Sequence, residues 1–325
     1  MTGKISIRPI LNVYVLGLCA GAVLSAVLSF APGRWGVFAS YAGTQAGFIA
    51  AVILFSRVML KSRVSAVVPM SKPSPKALPL SIAVAAGVYM QNLLLSTGVS
   101  ELWAKAGVGA AIAIPYLGDP ANAVIALLTI AVLPAFAEEF LFRGVFACSD
   151  YKSRFFMIFY SAGVFALGHL SPVQMIHQFL LGIILSYLVY ATGTVWYSVA
   201  IHFLNNAGAL FAEMIPGYAE ALNFDGRGAW LLPVLCVAGI IILYPSLYAL
   251  VKLHTGKGYD RKDGFCAVIT GRGEKKWYAP FADDAFCADA RRSDRAETLY
   301  VWMIIVFLAV LTAINTVLSV KGVGL

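Results

Sequence analysis

Charge is what this sequence has least of. Only 12% of its 325 residues are charged and 60% are hydrophobic, against ~25% and ~45–50% in soluble chains. A soluble chain of this length needs far more charge to cover its surface. Soluble, disordered and fibrous classes are therefore excluded, and the solvent to reason from is a bilayer. Cysteine is scarce too: Cys19, Cys148, Cys236, Cys266 and Cys287 are scattered, with no C-x-x-C string. A disulfide framework or zinc ribbon is thus excluded. No H-E-x-x-H or G-x-S-G string occurs, and Asp119 has no second membrane aspartate to pair with. The usual zinc, serine and aspartyl patterns of membrane hydrolysis are absent. Basic residues flank apolar spans without forming an aromatic-basic patch, so nucleic acid is not a partner.

What is present is a series of long uncharged runs, at 9–33, 35–56, 77–100, 120–137, 155–212, 228–251 and 298–320. A helix crosses the hydrocarbon with about 20 apolar residues. The 155–212 run is long enough for three passes, broken at Leu170-Ser171-Pro172 and at Thr192-Gly193-Thr194. The pattern predicts an all-α, polytopic transmembrane helix bundle. Its nine spans lie near 10–31, 36–56, 77–99, 122–148, 154–170, 173–192, 196–214, 229–250 and 299–320. The first is read as an uncleaved anchor helix, being too long for a signal-peptide core.

With nine spans, 19 Lys and Arg fall on the side of the N-terminus and four on the other. The positive-inside bias makes the N-terminus cytoplasmic and places the C-terminus on the opposite side. The chain divides into N-terminal helices (1–119), a motif-bearing core (120–215), an eighth helix (216–251), a soluble cytoplasmic insertion (252–298) and a last helix (299–325). Within the insertion, Phe265–Thr270 and Lys275–Phe281 alternate around Gly271-Arg272-Gly273, which reads as a β-hairpin.

Inside the spans, ionisable residues are few and clustered. The fourth helix carries Glu138, Glu139 and Arg143. Each charge at mid-bilayer costs ~2.5–3.5 kcal/mol on insertion scales, so such residues call for a function. Glu139 and Arg143 are four apart and share a face, which predicts an ion pair. Glu138 points ~100° away and is expected to stay free as a general base. The fifth helix has Phe165-x-x-x-His169, and the seventh has His202-x-x-x-Asn206. Counted from the cytoplasmic turns at 1.5 Å per residue, Glu138 lies ~18 Å deep, His169 ~25 Å, His202 ~12 Å and Asn206 ~18 Å. Separate helices thus bring these groups near mid-membrane, which favours a polar cavity. His177 and His254 lack a partnered spacing, and His177 is read as packing.

The three strings in this order resemble the motifs of the CPBP family of intramembrane proteases. That family comprises CAAX prenyl endopeptidases and bacteriocin-processing or Abi-type bacterial proteins. The resemblance implies a peptide hydrolase in which Glu138 activates a water with help from His169, while His202 and Asn206 stabilise the oxyanion. Glu139 and Arg143 match the family's remaining motif residues as the supporting ion pair. Its implied partners are the lipid bilayer and a membrane-associated or membrane-delivered peptide or protein substrate. No cofactor is required by this chemistry. A zinc ion remains an alternative, held by Glu138, His169 and His202 as a His₂Glu site. Two other readings compete. One is a non-proteolytic scaffold or immunity-type protein. The other is a proton-coupled transporter, though no repeat symmetry supports it.

Overall fold

A backbone in hydrocarbon must satisfy its N–H and C=O groups internally, so apolar segments fold as helices. The structure, a computed structural model, describes residues 5–108, 115–149, 151, 154–212, 214–224, 226–255 and 295–320. Among them there is no sheet, only isolated bridges between Ile5 and Ser149 and between Met70 and Thr194. The insertion's expected hairpin, with Cys266 and Cys287, lies outside the described residues.

The helices are α1 (Ile7–Leu28), α2 (Arg34–Met59), α3 (Leu78–Lys105), α4 (Pro120–Cys148), α5 (Arg154–Gly168), α6 (Met175–Thr192), α7 (Trp196–Ala212), the short α8 (Tyr218–Leu222), α9 (Leu231–Thr255) and α10 (Arg295–Val320). Among the described residues, seven helices are long and apolar enough to cross a membrane: α1, α2, α3, α4, α6, α9 and α10. The sequence predicts nine spans; α5 and α7 have only 15 and 17 residues. The first is cut short by local backbone chemistry. The chain leaves α5 through Leu170, at φ 51, ahead of Pro172, which disfavours helix at the residue before it. Start signals are equally local: Asp119 caps α4 through the Ala121 amide at 3.0 Å, with Pro120 in the first turn.

Packing is closest where glycines align. Gly17 and Gly21 on α1 face Gly43 and Gly47 on α2, and a Cβ on Gly17 would lie 2.7 Å from the Ala51 Cβ. Such small-residue stripes let membrane helices approach backbone to backbone. They also press α2, with Gln45 between its two glycines, against α4. Gly87 on α3 meets α9 in the same way, where a Cβ would lie 2.8 Å from the Leu243 amide nitrogen.

The central element is α4, which touches α2, α5, α6 and α7. It is not a regular helix. Wide π turns at Leu127–Val132 and Phe140–Val145 flank the α-helical stretch Leu133–Glu139. Such turns occur most often at functional sites. The upstream turn coincides with Pro134, which has no N–H to give to the Ile130 carbonyl.

Overpacking a close crossing costs about 1–3 kcal/mol. Gly47→Leu should therefore melt at a lower temperature than wild type in detergent. Gly163→Ala, whose Cβ would meet only Phe179 at 4.0 Å, should leave the melting temperature unchanged.

Candidate active site

The site is built around Glu139, which is fully buried on α4. Its Oε1 accepts from Arg143 Nη1 at 2.8 Å, one turn further along the same helix. The same oxygen accepts from His202 Nδ1 on α7, also at 2.8 Å. Arg143 is likewise buried, and its Nη2 donates to the Gly182 carbonyl on α6 at 3.1 Å. Its guanidinium lies 4.6 Å over the Phe165 ring of α5, a cation–π contact. One i,i+4 pair thus ties four helices together. The spacing alone foresees Glu139–Arg143, but not that Glu139 also holds a histidine. Donation from Nδ1 to Glu139 leaves His202 Nε2 facing Glu138 Oε2, 3.8 Å away.

Glu138 is 6% exposed. The sequence leads one to expect it free, but its Oε1 accepts from Gln45 Nε2 of α2 at 2.8 Å. Gln45 is a residue of this candidate site that motif reading missed. The one available signal was an amide inside an apolar helix, set between Gly43 and Gly47. Glu138 and Gln45 line a cavity of about 1270 Å³, whose wall also includes His169, His177, Asn205 and Asn206. Placing His177 in this wall changes its reading from packing alone. Asn205, missed as well, donates to the Asn206 Oδ1 at 3.3 Å.

His169 stands just past the end of α5. Its amide turns back to Ala166 at 3.3 Å, leaving the Phe165 carbonyl without its helical donor. The His169 ring fills that vacancy, Nδ1 donating to the Phe165 carbonyl at 2.8 Å. The remaining nitrogen, Nε2, is then the acceptor. Asn206 also bonds to main chain: its Nδ2 donates at 3.2 Å to the Ile130 carbonyl, to which Pro134, four residues on, has no N–H to give. His202, by contrast, is 1% exposed and sits behind Glu138.

The residues proposed for zinc do not meet as a three-ligand set. Among the described residues no three His, Cys, Asp or Glu side chains form a group that could hold a metal ion. His202 Nε2 comes within 3.8 Å of Glu138 Oε2, but His169 does not join them in a three-ligand group. The arrangement does not fit a His₂Glu centre, and no step is derived through one.

Removing one partner of a buried ion pair strands the other charge and costs ~3–5 kcal/mol. Glu139→Ala should thus lower thermal stability in detergent markedly, since it strands Arg143 and releases His202 together. An unchanged melting curve would dismiss Glu139 as the hub.

Comparison with known proteins fits this geometry. A family model described as Rce1-like, type II CAAX prenyl endopeptidase, matches residues 120–208. The match begins at the first turn of α4, ends within α7 and encloses Glu138, Glu139, Arg143, His169, His202 and Asn206. No curated protein and no solved structure matches the chain. Motifs and family match agree: over residues 120–208 this helical membrane protein is similar to the type II CAAX prenyl endopeptidases.

Proposed function

We propose that the protein is an intramembrane endopeptidase that hydrolyses a peptide bond in a membrane-associated or membrane-delivered substrate. One observation carries this reading: Glu138, His169 and Asn206, from three helices, line a single cavity. In the proposed reaction, a water held between Glu138 and the acceptor Nε2 of His169 gives a proton to Glu138. The oxygen attacks the scissile carbonyl carbon. Asn206 and His202, one turn apart on α7, donate to the oxyanion as it forms. The intermediate then collapses: the C–N bond breaks, and Glu138 returns its proton to the leaving amine.

The fixed parts of the site suit these tasks. Gln45 holds one Glu138 oxygen, so the other is aimed without a reorientation step. Glu139 does the same for the His202 ring and compensates positive charge on it. Preorganised groups of this kind cost no rearrangement in the transition state.

Comparative membrane proteomics of wild type and Glu138→Ala should reveal a processed peptide that disappears in the variant. Glu138→Ala and His169→Ala are each expected to abolish this processing at normal protein abundance, and a strong chelator should leave wild-type processing intact. Unchanged processing in both variants would remove the catalytic assignment. Loss on chelation that zinc restores would replace the metal-free mechanism.

The proposed orientation, with a cytoplasmic N-terminus, rests on the 19-to-4 distribution of Lys and Arg. It predicts that a membrane-impermeant thiol reagent reaches Cys266 and Cys287 only after cells are opened. Labelling of either in intact cells would invert the topology.

A further inference from the structure

His169 owes its position to a turn that is unfavourable for its sequence. Leu170, the next residue, has φ 51, a left-handed conformation that few residues except glycine and asparagine adopt readily. Its amide donates to the Leu167 carbonyl at 3.0 Å. Its own carbonyl, carried outward by the reversed turn, has left the helical ladder. Strained residues persist only where their surroundings hold them.

The holding group is on α10. Asn315 Nδ2 donates to the Leu170 carbonyl at 2.9 Å, across 145 positions of sequence. Of its neighbours on α10, Ala313, Ile314 and Val317 are apolar, and the hydroxyls of Thr312 and Thr316 bond back to the helix's own carbonyls. An amide in such a helix is a poor choice unless it has a partner. Asn315 also lines the same cavity as His169 and Glu138. It lies beyond the segment that the family model matches, 120–208.

We propose that Asn315 is a positioning residue for His169: its amide clamps the left-handed turn at Leu170 and so fixes where the histidine ring stands in the cavity. This rests on the proposed catalytic role of His169. Without the clamp, Leu170 relaxes to negative φ. His169 then loses the backbone geometry that lets its ring reach the Phe165 carbonyl. Glycine at 170 adopts the left-handed turn without strain, so it should replace the clamp in part.

The protein has four histidines, so histidine-labelled protein in detergent should give a short, assignable set of ring resonances. His169→Gln identifies the His169 signal. In Asn315→Ala that signal should shift, while that of His254 stays. In Asn315→Ala/Leu170→Gly it should move back toward wild type. Turnover of the substrate found by proteomics should fall roughly tenfold in Asn315→Ala, in kcat rather than KM, and recover in the double variant. If Asn315→Ala does not unfold and its His169 signal is unmoved, the proposal is wrong. It is equally wrong if Leu170→Gly brings no return, because an amide needed only for packing of α10 would not be rescued from Leu170. Should Asn315→Ala fail to fold, Asn315→Ser keeps a donor and gives an intermediate shift; a wild-type signal or none of the shift there overturns the clamp. The resonances do not depend on proteolysis. If they behave as expected and Glu138→Ala still processes substrate normally, the catalytic reading fails and the clamp stands.

Discussion

Two adjacent carboxylates on one helix, buried away from water, set the terms for the rest of the fold. Neither can be left alone in a low dielectric, and because they point in different directions each draws partners of its own, with only the His202 ring facing both. Glu139 takes Arg143 and His202; Glu138 takes the Gln45 amide and faces the His202 ring. Each partner brings its helix into register. Gln45 requires α2 to lie close to α4, and the glycine crossing with α1 supports that placement. Arg143 requires a carbonyl from α6 and an aromatic face from α5. The helices that meet at α4 are those needed to satisfy its charges.

In the proposed mechanism the difference between the two carboxylates is also a division of labour. Glu139 is fully buried and its Oε1 is bound twice, so it can orient but cannot easily exchange a proton with a substrate. Glu138 is slightly exposed, borders the cavity and has only one of its oxygens held by a protein donor. A neutral amide is well suited to hold a base: it fixes the carboxylate without the strong charge pairing that Arg143 supplies to Glu139.

Much of this was legible in the sequence. Uncharged runs gave the helical bundle, because hydrocarbon admits little else. The i,i+4 rule gave Glu139–Arg143, since that contact is made within one helix. What could not be read were contacts between helices distant in sequence. Gln45 reaches Glu138 across 93 positions, and no periodicity encodes that meeting. The ends of α5 and α7 fall within two residues of the spans read from the sequence, but the left-handed conformation in which Leu170 makes the break was not legible in an apolar run. His177 looked like packing because no residue at helical spacing partners it, whereas the cavity it borders is formed largely by other helices.

Irregular backbone inside a membrane protein is tolerated only where it is buried in protein or lines a polar cavity. Here both conditions meet at the same residues. Pro134 and the π turn before it free the Ile130 carbonyl; the end of α5 frees the Phe165 and Leu170 carbonyls. Each is answered by a side chain of the cavity wall: Asn206, His169 and Asn315 respectively. The two amides bond as neutral groups, so they satisfy a carbonyl without adding charge to hydrocarbon. Asn206 keeps a second N–H, and His169 a second ring nitrogen, at the cavity wall. The groups that make the broken helices stable are therefore the groups left with hydrogen-bonding capacity to offer a substrate. A cavity built from regular helices would have neither the orphan carbonyls nor the reason to keep these side chains at its wall.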